Sequence, residues 1–71
     1  MTAPFVYRLR SALLCVDRET RTLVSLESGS VVSYASAEDQ GMVALRRAGR
    51  EILAFAVDFD DRAEAVQAAN G

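Results

Sequence analysis

The alternation of apolar and polar side chains predicts β-strands over most of the chain. Near the N-terminus apolar side chains recur at every second position, at Phe5, Tyr7 and Leu9. They then run continuously from Leu13 to Val16. Alternation is typical of a strand buried on one face, and a continuous run is typical of a strand buried on both. One long strand over residues 5–16 accounts for both patterns, with a bend or bulge at 10–12 where the buried face changes.

Four further strands are predicted, separated by short turn sequences. They cover residues 21–27, 30–35, 42–47 and 51–59. Gly29 and Gly49 occupy the turn positions that are most suited to a positive φ angle. The polar stretch 36–40 predicts a loop. These tight turns between short strands predict an all-β fold, either a small five-stranded barrel or a strongly bent antiparallel sheet.

The last segment changes from strand to helix composition. Residues 61–69 are rich in alanine and other helix-forming residues, so a short C-terminal helix is predicted there. Asp61 is the expected N-cap, with Glu64 three residues later in the capping-box relation, and 70–71 can end the helix. The chain of 71 residues is expected to form a single domain, 1–71.

One stretch has the spacing of a known domain class. It reads Leu26-x-x-Gly29-x-Val31-Val32, then Gly41-Met42-Val43-x-Leu45, then Gly49-Arg50-x-Ile52. Over residues 26–52 this resembles small bacterial SH3-like β-barrel domains, and the resemblance implies a five-stranded SH3-like barrel. Met42 stands where those domains usually carry an aromatic residue. The acidic-aromatic signature of eukaryotic SH3 domains is missing, so the resemblance does not extend to a groove for proline-rich peptides.

The composition argues against most catalytic chemistry. The chain has no histidine and a single cysteine, Cys15. Without histidine, the usual Ser-His-Asp and Cys-His arrangements cannot form, and the commonest metal ligand is lacking. Cys15 lies in an apolar run and is expected to be a buried structural thiol, with no disulfide. We therefore predict that the protein is not an enzyme and uses no cofactor.

Charge weakens the case for nucleic acid but leaves one candidate ligand site. The chain carries 8 basic and 10 acidic residues, for a net charge of -2, and every basic residue is an arginine. An acidic domain lacks the general attraction to phosphate backbones. A local patch on strand one and the Gly49 turn could still bind an anionic ligand. Its candidate residues are Arg8, Arg10, Arg46, Arg47 and Arg50.

Acidic side chains cluster where the last predicted strand meets the helix, at Asp58, Asp60 and Asp61. Helix capping needs these residue types at this spacing, and it is the preferred interpretation. Three carboxylates could also hold Mg²⁺ or Ca²⁺. Calcium loops usually supply more oxygen ligands and a glycine at the sharp turn, so no metal site is predicted.

Apolar residues make up 51% of the chain, which is high for a lone domain of this size. The excess lies on both faces of the first and last predicted strands, more than one barrel interior can bury. We therefore predict a small non-catalytic interaction or oligomerisation module, which associates as a homodimer or with a protein partner. No apolar run has the ~20 residues of a membrane helix, and no signal peptide is evident. A cytoplasmic location is the expectation.

Overall fold

The structure, a computed structural model, describes residues 6–66, and 59% of these lie in β-strands. The strands are β1 (Val6–Leu9), β2 (Leu13–Asp17), β3 (Leu23–Leu26), β4 (Val31–Glu38), β5 (Met42–Arg47), β6 (Arg50–Phe55) and β7 (Ala63–Ala65). One helix, α1 (Ala56–Arg62), and one 3₁₀ turn (Asp39–Gly41) complete the elements of this range. The strands form one curled antiparallel sheet, a half-barrel, in the order β3-β2-β6-β5-β4-β1-β7. The all-β prediction is confirmed, although the described residues contain seven strands and not five.

The predicted first strand divides in two at the expected bend. β1 lies between β4 and β7, whereas β2 lies between β3 and β6, so residues 10–12 connect distant parts of the sheet. The chain leaves the sheet at Arg10, whose backbone amide bonds the carbonyl of Arg62 at the end of α1 (2.6 Å). The bend was predicted correctly, but the single strand over 5–16 was wrong, because the segments on either side of 10–12 pair with different strands.

The position of the helix differs from the prediction. The last predicted strand ends at Phe55, and α1 occupies the following seven residues. The helix turns Phe59 inward, where it is 3% exposed and packs edge-on against Tyr7 with ring centroids 5.0 Å apart. Burial of this aromatic ring therefore favours helix over strand.

The capping prediction for Asp61 is also wrong. Helix α1 has Phe55 at its N-cap and no side-chain capping bond there, while Asp61 lies in its last turn. Glu64 belongs to strand β7, which pairs with β1. Within the predicted helix 61–69, only residues 61–66 are described, and 70–71 also lie outside the described range.

The turns follow the glycine positions. Gly29 and Gly49 have φ angles of 91° and 79°, as predicted. Ala48 also has a positive φ (53°), so the β5–β6 hairpin closes through two left-handed residues, as type I′ turns do. The loop predicted at 36–40 is wrong in its first half, because β4 continues to Glu38 after a bulge between Tyr34 and Ser36.

The core lies on the inner face of the curled sheet. Alternate positions of six strands and one side chain of α1 meet there. The buried cluster comprises Leu9, Leu13, Cys15, Leu26, Val32, Val43, Leu45, Ile52, Ala54 and Phe59. Helix α1 thus contributes to the core instead of packing on the outside of the sheet. Between residues 6 and 66, no helix combines the length and the apolar character needed to cross a membrane.

Candidate functional site

The outer face of the sheet carries an apolar groove of about 110 Å³. Its apolar side chains come from four adjacent strands, β3, β2, β6 and β5. We call this surface the outer groove and define it by Leu14, Val16, Leu23, Met42, Leu53 and Phe55. Asp58, from α1, lies at the same groove as its charged member.

Strand register makes the outer groove continuous. Val16 lies opposite Leu23 on one neighbouring strand and opposite Leu53 on the other. Directly opposed residues in antiparallel strands have Cβ atoms about 4.5–5.5 Å apart, which brings these three side chains into one row. Val16 and Leu53 are half-buried in this row, and the groove residues around them are exposed to solvent: Leu23 by 70%, and Leu14 and Phe55 by 58% each. The apolar excess noted in the sequence is therefore concentrated at this end of the outer face.

A second feature is the arginine-rich hairpin between β5 and β6. Arg46, Arg47 and Arg50 flank the Ala48–Gly49 turn and line an open depression of about 370 Å³ with Ser33 and Glu51. Arg47 and Arg50 are directly opposed across the strand pair. Like charges so placed repel each other. A nearby carboxylate offsets this repulsion for Arg50.

That carboxylate is Asp17, a buried acidic residue that ends β2. Its Oδ2 accepts a hydrogen bond from Arg50 Nε at 2.7 Å, and its Oδ1 accepts the amides of Glu19 and Thr20 at 2.9 and 3.0 Å. Because the Arg50 guanidinium and these amides stabilise the ionised form, the pKa of Asp17 falls from 3.8 to about 2. Asp17 thus holds the β2–β3 turn and the β5–β6 hairpin together.

The structure brings only part of the predicted arginine set together. Arg46, Arg47 and Arg50 share the hairpin, whereas Arg8 lies on β1, separated from β5 by strand β4. Arg10 lies farther still, where its guanidinium donates to the Asp61 carbonyl at 2.6 Å. Two of the five side chains, those of Arg10 and Arg50, are therefore engaged within the protein.

The acidic cluster lies entirely on α1, since Asp58, Asp60 and Asp61 are helical residues. In the part of the chain that the structure describes, no three Asp, Glu, Cys or His side chains are placed to hold a metal ion. Asp61 contributes a structural contact through its backbone carbonyl, which accepts a hydrogen bond from the Arg10 guanidinium. Arg62 continues this contact, donating from Nη1 to the Ala12 carbonyl at 2.7 Å.

Sequence reasoning missed the charged residues that organise the hairpin end. Arg18 Nη1 lies 3.3 Å from Glu38 and 3.2 Å from Glu51, which bridges strands β4 and β6. The contact of Asp17 with Arg50 joins residues 33 positions apart, so no local sequence pattern predicts it. The signal available was a carboxylate directly after the apolar run Leu13–Val16, at an inward position.

The single cysteine of the sequence, Cys15, is not placed to act as a nucleophile. Cys15 is buried in the core, and burial raises the pKa of its thiol from 9.0 to about 11. The thiolate is therefore a minor species at neutral pH. A structural role for this side chain agrees with the expectation from its apolar sequence context.

No family model, curated protein or solved structure matches this chain. The SH3-like resemblance over 26–52 therefore stays a prediction.

Proposed function

We propose that this protein is a small non-catalytic interaction module that self-associates through its outer groove. The observation that supports this most directly is the exposure of three large apolar side chains, Leu14, Leu23 and Phe55, around one continuous groove. Each apolar Å² left in water costs about 25 cal/mol, so covering these side chains stabilises an assembly. A second copy is the partner that is always available at the concentration of the chain itself.

The non-catalytic character rests on the chemistry of the described residues. The chain has no histidine, its thiol is buried, and its buried carboxylate Asp17 is already bonded to Arg50. A general acid or base needs a titratable group with a pKa near the working pH. The outer groove offers apolar contacts and one helix carboxylate, Asp58, which is a surface suited to binding.

The test is the molar mass in solution, measured by size-exclusion chromatography with light scattering on the full chain. We expect a dimer at micromolar concentration, and we expect Leu23→Ser to raise its dissociation constant about tenfold or more. Val31→Ser is the matched control, because Val31 is 48% exposed but lies outside the groove, on β4. A wild-type protein that stays at 7.7 kDa at high micromolar concentration contradicts the proposal.

A second candidate function is the binding of an anionic ligand at the hairpin. It is supported by Arg46 and Arg47, which are exposed and form no ion pair among residues 6–66. Both lie around the same depression as the Ser33 side chain, which can donate to phosphate or carboxylate oxygens.

Salt dependence separates the two candidates. Binding of single-stranded RNA through Arg46 and Arg47 should weaken steeply as salt rises, and the double substitution Arg46→Ala with Arg47→Ala should abolish it. Association through the outer groove should instead strengthen in sulfate. An absence of binding at low salt, to single-stranded RNA and to inorganic phosphate alike, removes the second candidate.

A further inference from the structure

Strand β3 is an edge strand whose outer backbone groups are unpaired within residues 6–66. It pairs with β2 alone. The adjoining bond from the Asp17 amide to the Thr22 carbonyl (2.8 Å) shows that the backbone of Thr22 faces β2, which determines the side to which each following residue bonds. In an antiparallel ladder alternate residues bond to opposite sides. Val24 and Leu26 therefore face β2, whereas Leu23 and Ser25 present their amides and carbonyls at the free edge. Such an edge is a template for another strand.

The charges beside this edge have opposite signs at its two ends. Arg21 lies just before β3 and Glu27 just after it. Both side chains are exposed, and neither forms an ion pair in the described part of the chain. A strand that is positive at its start and negative at its end is complementary to itself when two copies run antiparallel.

We infer that a second copy of this chain pairs with β3 across a two-fold axis at Val24. This inference rests on the proposed self-association and places its contact at the β3 margin of the outer groove, where Leu23 is the groove residue that is covered. In this register Leu23 lies opposite Ser25 of the second copy, and Arg21 lies opposite its Glu27. Both edge-facing residues then exchange backbone hydrogen bonds with the partner strand. The backbone of Arg21 leaves the direction of the strand at a positive φ of 61°. Its long side chain still spans the distance to the Glu27 carboxylate of the second copy.

Charge complementarity selects this register over its neighbours. A shift of the pairing by two residues in either direction leaves Arg21 opposite Ser25 or Gly29 of the second copy, where no carboxylate is present. The chosen register forms the Arg21–Glu27 contact twice, once on each side of the axis. Because the interface is isologous, the assembly closes as a dimer and does not extend.

The same register brings apolar side chains together on the outer face. The two Leu23 side chains become diagonal neighbours, at a spacing of about 7–8 Å between backbones that such side chains can span. Leu23 is the most exposed member of the outer groove, at 70%, so this contact covers the residue that most needs it. The two outer grooves then lie on one continuous fourteen-strand sheet, given the seven strands described in each copy.

A charge-exchange experiment on the full chain tests the register. Arg21→Glu alone and Glu27→Arg alone each place two like-charged pairs across the axis, so each variant should dimerise about tenfold more weakly than the wild type at low salt. An equimolar mixture of the two variants should recover the dimer, because the mixed pair has opposite charges at both contacts. Asp60→Arg is the control, since it makes the same charge change as Glu27→Arg at an exposed position of α1 that lies outside the groove and the hairpin.

The outcomes separate this inference from the proposed function. Recovery on mixing supports the register. Two results would overturn the register and leave the proposed function standing. In the first, the wild type is a dimer that Leu23→Ser weakens, while both charge variants dimerise normally. In the second, both charge variants dimerise weakly, and mixing them does not restore the dimer. A mass that grows beyond the dimer with concentration also overturns it, because head-to-tail pairing of β3 with another edge produces open chains. A monomeric wild type overturns both proposals.

Discussion

At the scale of single residues, the contact between Asp17 and Arg50 determines how the hairpin end of the sheet responds to acid. Asp17 is buried, and its carboxylate bonds Arg50 and two turn amides. These bonds require the ionised form, which is why the pKa of Asp17 is about 2 in the folded chain against 3.8 ordinarily. A group with a lowered pKa in the folded state stabilises the fold above its ordinary pKa and loses that effect as the pH falls toward the folded value.

We therefore expect the melting temperature to fall as the pH is lowered from about 4 to about 2, partly through protonation of Asp17. Asp17→Asn should melt roughly 5–10 °C lower than the wild type at pH 7, because the charged contact with Arg50 is lost. The loss stays moderate because the asparagine oxygen can still accept the turn amides. The difference between the two proteins should shrink toward pH 2. Circular dichroism melts across this range provide the measurement, and a constant difference at every pH would contradict the assignment.

At the scale of secondary-structure elements, the sequence predicts strands better than it predicts the helix. Strand periodicity is a local property, so the alternation around Leu53 and the glycine turns could be recognised directly. The segment that becomes α1 also shows period two, since Phe55, Val57 and Phe59 alternate with small or acidic residues. Only the tertiary position of the Tyr7 ring, on a strand 52 positions earlier, favours a helix that turns Phe59 inward.

The candidate site divides in the same way between what is local and what is not. The apolar faces with Leu14 and Phe55 can be recognised within single strands, but their exposure could not: the continuous run over 13–16 predicted burial on both faces, whereas Leu14 is 58% exposed. The union of these faces into one groove depends on the order β3-β2-β6-β5, which no local pattern contains. The pairing of Asp17 with Arg50 is likewise a property of the folded sheet.

Helix α1 should contribute to stability mainly through Phe59. Truncation in Phe59→Ala should cost about 3–5 kcal/mol, because it removes a ring buried against Tyr7 and Tyr34. That is comparable to the whole stability of a small domain, so this variant should be largely unfolded, while Phe59→Leu should remain folded. Urea unfolding followed by circular dichroism measures the effect. Val57→Ser, on the same helix but 77% exposed, is the control that should unfold like the wild type.

At the scale of the whole molecule, folding and self-association should be coupled. A chain of 71 residues buries only about 60% of the surface that its unfolded form exposes, less than a larger domain does, and the outer groove leaves three large apolar side chains uncovered. Because a partner that binds only the folded state stabilises it by mass action, the melting temperature should rise with protein concentration. At a total concentration 100 times the dissociation constant the free monomer is about 7 times that constant, so the gain is about 1.6 kcal/mol per chain, which corresponds to a rise of roughly 6–13 °C in a domain of this size.

The concentration dependence should move to about tenfold higher concentrations in Leu23→Ser, which should therefore melt below the wild type wherever the wild type is dimeric. Leu23 is 70% exposed and makes no contribution to the buried cluster, so its replacement should leave the stability of the monomer unchanged. The equimolar mixture of Arg21→Glu and Glu27→Arg should melt at the temperature of the wild type, whereas each variant alone should melt lower at the same total concentration. Differential scanning calorimetry over a hundredfold range of concentration makes the comparison, and a wild-type transition that does not move with concentration would show that the domain is stable without a second copy.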